Sequence, residues 1–137
     1  MKTVLYIHGK GGNAAESTHY ERLFPDSKVI GLDYKTFSPR ETGKEIHDAV
    51  ASLKKEAESI ILIANSIGAF FSMNANLNGQ IEKAYFISPV VDMEKLICDM
   101  MNWANVTETE LEQRKIIHTD FGEELFWEYL NIVYMIF

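Results

Sequence analysis

The chain carries a single cysteine, Cys98, so no internal disulfide can form. A reducing compartment, the cytoplasm, is therefore expected. Basic residues are few: 13 Lys and Arg stand against 20 Asp and Glu, a net charge of −7. That balance argues against nucleic acid and against an anionic membrane as partners. No apolar run approaches the ~20 residues that cross a bilayer. Only five residues separate Lys2 from His8, too few for a secretory hydrophobic region. Repeats and low-complexity linkers are absent. The four histidines have no ligand spacing, so neither a metal nor another cofactor is expected.

What is present suffices for one domain. The chain has 137 residues, 47% of them hydrophobic, and can bury roughly two thirds of its unfolded surface. Thr3 to Ile7 reads as a buried strand, followed by the glycine-rich His8-Gly9-Lys10-Gly11-Gly12. Asn13 and Glu16 have capping-box spacing and predict a helix to about Phe24. Lys28 to Leu32 is a second strand. Ser38-Pro39-Arg40-Glu41 opens a helix whose buried stripe is Ile46, Val50, Leu53 and Ala57. Ile60 to Ile63 begins a third strand, the stretch after Ser66 a helix to Leu77, and Lys83 to Ile87 a fourth strand.

This alternation predicts an α/β fold, a parallel sheet of about four strands with helices on both faces. Residues 1–137 read as one domain, with 1–91 the core and 92–137 a helical segment without strands. That segment is expected to hold helices over Asp92–Trp103, over Thr107 to about Ile117, and from Thr119 or Asp120 onward. Ligands of such sheets sit outside the carboxyl ends of the strands. The glycine loop, Asp33, Ser66 and Ser88 all fall at that edge.

The chemistry centres on Ala64-Asn65-Ser66-Ile67-Gly68, where a buried strand runs straight into a helix. A turn this sharp strains its central residue, and the positions two away on each side must be small, here Ala64 and Gly68. The strain lifts the Ser66 hydroxyl clear of the sheet and points the Ile67 N–H at whatever it attacks. A plain serine N-cap on a core helix is the competing reading of this stretch.

Together these features resemble the α/β-hydrolase fold from Thr3 to about Asp92. His8-Gly9-Lys10-Gly11-Gly12 is similar to the family's oxyanion loop, the Ser66 turn to its nucleophile elbow, and the stretch after Val91 to its lid. The resemblance implies a serine hydrolase of a small ester, thioester or amide. Ser66 would be the nucleophile, and the backbone N–H groups of Ile67 and Lys10 the oxyanion hole. His8, Gly9, Gly11 and Asn65 would lie at the substrate. Triad partners in this fold follow the serine as Asp or Glu and then His. Family members carry them after a further strand–helix–strand stretch, so the chain reads as cut short. Within it, Asp92 is the candidate acid, or else the N-cap of the next helix, and His118 the candidate base. His8 is expected to shape its turn, and His19 and His47 to be exposed.

Two other readings stay open. Gly9-x-Gly11-x-x-Ala14 fits the dinucleotide fingerprint, with Asp33 placed as a ribose-binding acid at the end of the next strand. A non-catalytic remnant that self-associates is the third. An uncovered fourth strand pairs readily with other chains, and the uncharged stretch Asn131 to Phe137 needs a cover. A homo-oligomer through the sheet edge and the apolar C-terminal helix is therefore expected.

Overall fold

Five apolar or β-branched residues in succession, Thr3–Ile7, form β1, and all five are buried. They lie between two parallel neighbours, β2 (Lys28–Leu32) and β3 (Ile60–Asn65), with β4 (Lys83–Ile87) outside β3. The sheet order is β2-β1-β3-β4. A strand flanked on both sides and covered on both faces has no wet face, which is why β1 is continuously hydrophobic rather than alternating. The computed structural model describes residues 1–88, 93–119 and 124–128. The chain divides into two compact units, Met1–Val90 and Val91–Phe137.

Connections in the first unit place its helices on opposite faces. From β1 the chain steps outward to β2, then crosses back to β3 and β4. Right-handed crossovers in opposite directions require opposite faces. On one face Val4, Tyr6 and Ile63 pack with Tyr20 and Phe24 of the Ala14–Leu23 segment. On the other lie α1 (Pro39–Lys54) and α2 (Ile67–Met73), which contact each other and β3.

Helix α1 starts as its sequence dictates. The Ser38 hydroxyl accepts from the Glu41 N–H at 3.2 Å, Pro39 follows the cap, and Ile46 and Val50 are fully buried. Helix α2 is shorter than expected. It stops at Met73 rather than Leu77, where Asn74 Nδ2 donates to the Phe70 carbonyl at 2.8 Å and Asn76 turns left-handed at φ 54°.

The first helical segment also departs from expectation. Ala14–Leu23 is a 3-10 helix, and Asn13 makes no side-chain cap. Glu16, the other half of the expected capping box, instead accepts a 2.8 Å hydrogen bond from the Tyr6 hydroxyl. A tertiary partner has taken the carboxylate from the local one.

In the second unit, α3 (Met93–Ala104) and α4 (Glu108–Arg114) form, the latter with the expected capping box between Thr107 and Glu110. The strandless reading is overturned by an antiparallel pair, β5 (Ile116–His118) with β6 (Glu124–Phe126). Lys115 ends α4 in the left-handed region at φ 68°, and its carbonyl accepts from the Trp127 N–H at 2.8 Å, so the chain reverses. Ile116, Ile117 and His118 continue a helical hydrophobic spacing, but a β-branched pair directly after a left-handed residue favours a strand. The buried side chains of this unit include Ile97, Met100, Met101, Leu111, Ile117 and Leu125, whereas Trp103 is 69% exposed. The third expected helix, from Thr119 or Asp120 onward, is contradicted where β6 forms over Glu124–Phe126, and its stretch over 129–137 lies outside the described residues.

Candidate active site

Ser66 sits between β3 and α2 at φ 55°, ψ −122°, a conformation that non-glycine residues rarely adopt. Such a backbone costs on the order of 1–3 kcal/mol and persists only when its surroundings impose it. Three contacts do so here. The Ser66 N–H donates to the Ile87 carbonyl at 2.9 Å, tying the turn to the end of β4. The Ala69 N–H donates to the Ser66 carbonyl at 3.1 Å and starts the helix. Two residues on, a Cβ at Gly68 would lie 2.6 Å from the His8 carbonyl oxygen and 2.8 Å from that of Ile7. Two residues back, Ala64 is fully buried in register with Ile7. The size rule read from the sequence thus has a named cause, the main chain at the end of β1.

The glycine loop is brought to the serine by the same packing. A Cβ at Gly9 would sit 3.1 Å from Ser66 Cβ, 3.2 Å from the Asn65 carbonyl and 3.8 Å from Ser66 Oγ. The Gly12 N–H donates to the Gly9 carbonyl at 3.1 Å, closing a turn in which Gly11 holds φ 78° and Lys10 is exposed. Ser66 itself is half-buried, so its hydroxyl remains within reach of a substrate.

Two tyrosines hold these pieces. The Tyr34 hydroxyl donates to the His8 carbonyl at 2.9 Å, and its ring stacks on His8 at 4.1 Å and 7°. Phe71 of α2 meets Tyr34 and Phe37 edge-on. Burial, with the acidic neighbours Tyr6 and Glu45, pushes the Tyr34 phenol up to about 12. His8 Nδ1 donates to the Gly9 carbonyl at 2.7 Å, leaving Nε2 buried with no partner among the described residues. On the opposite face Tyr6 meets both Glu16 and the Asn65 side chain. Burial first, and then the Glu16 carboxylate, raise its phenol to about 12. His8, expected at the substrate, holds the Gly9 carbonyl through Nδ1, and Asn65, expected there too, ends β3 directly before Ser66.

The other expected residues are spread apart. His19 is exposed on the 3-10 helix. His47 is half-buried rather than exposed, with Nδ1 donating to the Ala75 and Asn76 carbonyls at 3.0 and 3.2 Å. Among the described residues none of His8, His19 and His47 is hydrogen-bonded to Ser66. His118, expected in the lid segment, is exposed on strand β5 of the second unit. Asp92 lies outside the described residues. Asp33, the ribose-binding candidate, is exposed and paired with Lys35 Nζ at 2.9 Å, which holds its carboxyl below the usual range. No group of three or more His, Cys, Asp or Glu among the described residues could hold a metal ion. Nor, among them, is any helix long and apolar enough to cross a membrane.

The mature form of the Bacillus licheniformis lipase BlEst2 superposes with a TM-score of 0.60 at 13% identity, over 78% of this chain and 48% of that one. The Bacillus megaterium epoxide hydrolase, solved with an inhibitor, gives 0.55 at 13% identity, over 82% and 48%. The chain carries part of the α/β-hydrolase fold. It spans about half the length of these two neighbours. No family model and no curated protein sequence matches it.

Sequence reasoning missed Tyr34, Tyr6 and Glu16. For Tyr34 a signal existed, a tyrosine directly after the strand-terminal Asp33. For Tyr6 it did not, because a phenol inside a buried strand reads as one more apolar residue.

Proposed function

We propose that this chain carries the nucleophile half of a serine hydrolase acting on a small ester, thioester or amide. The observation that carries the reading is Ser66, held at φ 55° with Gly9 packed against it. The scaffold alone does not choose the reaction, since a lipase and an epoxide hydrolase share it. A strained serine at the strand–helix turn favours acyl transfer.

In that reaction Ser66 Oγ attacks the substrate carbonyl carbon and gives up its proton to a base. The tetrahedral oxygen takes its charge between the N–H groups of Ile67 and Lys10. Collapse expels the alcohol, thiol or amine, reprotonated by the same base, and leaves the acyl-enzyme. Water then attacks that ester, Ser66 recovers its proton, and the acid is released. Gly9 and Gly11 line the approach, while His8 and Asn65 act as supports. Asp92 and His118 are the positions this chain offers for acid and base.

The dinucleotide reading has less behind it. Its loop opens a 3-10 helix rather than an α-helix, and its acid is engaged by Lys35.

Intact-mass spectrometry after incubation with a fluorophosphonate tests the proposal. A single adduct is expected that disappears in Ser66→Ala; Asp92→Asn and His118→Gln then test the two candidate partners. Folded protein that takes up no adduct would sink the reading of Ser66 as an activated nucleophile. Binding and an oxyanion hole alone would then leave only roughly 10³-fold over water.

A further inference from the structure

Glu16 has given up the helix cap that its spacing offers, and two contacts show where its carboxylate goes. Its Oε1 accepts from the Tyr6 hydroxyl at 2.8 Å. A Cβ at Gly12 would lie 2.7 Å from that same Oε1 and 3.2 Å from Cδ and Oε2. The carboxylate thus fills the space that a side chain at position 12 would take. Gly12 does not hold a positive φ, so its backbone does not demand a glycine, and Glu16 does.

Gly9 to Gly12 form one turn, closed by the Gly12 N–H on the Gly9 carbonyl at 3.1 Å, with Gly11 at φ 78°. Both ends of that turn are held. Gly9 packs on Ser66 and the Asn65 carbonyl, and Gly12 packs on Glu16. Between them Gly11 has open space at its Cβ position, and Lys10 is exposed. A four-residue turn pinned at both ends aims its middle peptides, whereas one pinned at a single end can swing.

The support is itself anchored in the sheet. Tyr6 is 2% exposed in the central strand β1, and its ring lies 5.4 Å from that of Tyr20. Burial and Glu16 push its phenol up to about 12, against the Asn65 side chain that hydrogen-bonds it, so the hydroxyl keeps the proton it donates. One buried hydroxyl therefore meets both the support of the loop and the residue beside Ser66.

We propose, on the reading of the Lys10 N–H as an oxyanion donor, that Glu16 is a positioning residue for that donor. Held by Tyr6, its carboxylate fixes Gly12 and with it the turn that carries Lys10. It acts through the loop and not on the substrate. An oxyanion donor works within a few tenths of an ångström of its place, so a loosened turn slows the chemistry without weakening ground-state binding. A plain structural bond between β1 and the 3-10 helix would instead cost stability and leave the chemistry intact.

Fluorophosphonate labelling of the full chain, followed against probe concentration, separates the two roles. Tyr6→Phe and Glu16→Ala should lower the maximal labelling rate roughly tenfold to hundredfold and leave the half-saturating concentration unchanged. Glu16→Gln keeps an acceptor for the Tyr6 hydroxyl and should recover most of the rate. Gly12→Ala should slow labelling in the parent chain, because its methyl displaces the carboxylate. In a Glu16→Ala background it should cost nothing further, since that space is vacant. The backbone amide resonances of Gly9 and Lys10 should move in Tyr6→Phe, Glu16→Ala and Gly12→Ala alike. If circular dichroism shows Glu16→Ala unfolded, Tyr6→Phe and Gly12→Ala decide. Labelling at the parental rate in these variants would overturn the proposal, as would an equal loss from Gly12→Ala in both backgrounds. A parent chain that takes up no adduct would overturn the reading of Ser66 instead, and unmoved Gly9 and Lys10 resonances would then remove the role of Glu16 as well.

Discussion

A methyl group at position 68 has nowhere to go. It would meet the main-chain oxygens of Ile7 and His8, which belong to the central strand and its end and cannot swing aside like a side chain. Gly68→Ala should therefore destabilise the fold by about 1–3 kcal/mol, as overpacking does. It should also pull Ser66 out of its left-handed conformation and abolish labelling. Thermal unfolding together with the fluorophosphonate adduct checks both, and an unchanged midpoint would mean that the backbone yields. Tyr34→Phe is a gentler probe. It keeps the ring on His8 and deletes the 2.9 Å hydrogen bond to the His8 carbonyl. About 1 kcal/mol of stability should be lost, with a slower adduct rate if that bond aims the glycine loop. Equal rates would show that the loop holds its own shape.

At the scale of elements, the connection from β2 to α1 is secured by a single carboxylate. Glu45 accepts from the Lys35 N–H at 3.0 Å, the Thr36 N–H at 2.9 Å and the Thr36 hydroxyl. Burial by itself would raise its pKa. The Thr36 side-chain and backbone hydrogen bonds, with the Lys35 charge, outweigh burial and hold the carboxyl below its ordinary value. The sign of the pH dependence follows. A depressed folded pKa contributes stability that is complete above the ordinary carboxylate range and is lost as pH falls through the lower folded value. Glu45→Gln should be less stable at neutral pH and show a flatter acid limb in unfolding midpoints measured from pH 7 downward. A variant limb as steep as the parent's would assign the acid sensitivity to other carboxylates.

Across the whole molecule, both tryptophans, Trp103 and Trp127, fall in the Val91–Phe137 unit. Trp103 is largely exposed, and Trp127 is half-buried with Lys115 Nζ 5.8 Å from its ring centroid. Tryptophan fluorescence therefore reports on that unit, whereas far-UV circular dichroism reports on both. The Val91–Phe137 unit is the smaller of the two, and small units bury a smaller share of their surface. In a denaturant titration the fluorescence transition should precede the dichroism transition. Coincident curves would show that the two units unfold as one.

The core sheet was legible in the chain because its signals are local. Continuous apolar runs mark strands buried on both faces, Ser38-Pro39 marks a helix start, and small residues around Ser66 mark a turn that tolerates nothing larger. The same locality brings Ser66 and the glycine loop to one sheet edge, since parallel strands put their carboxyl ends together. What only the tertiary structure decided are the places where a distant partner outbids a local one. Glu16 leaves its capping box for Tyr6, a phenol ten residues back on β1. Ile116–His118 leaves a helical spacing for a strand, because Lys115 turns the chain and Glu124–Phe126 offers a ladder. Tyr34 becomes the clamp on His8 because β2 lies beside β1, a neighbour relation that no local window of sequence contains.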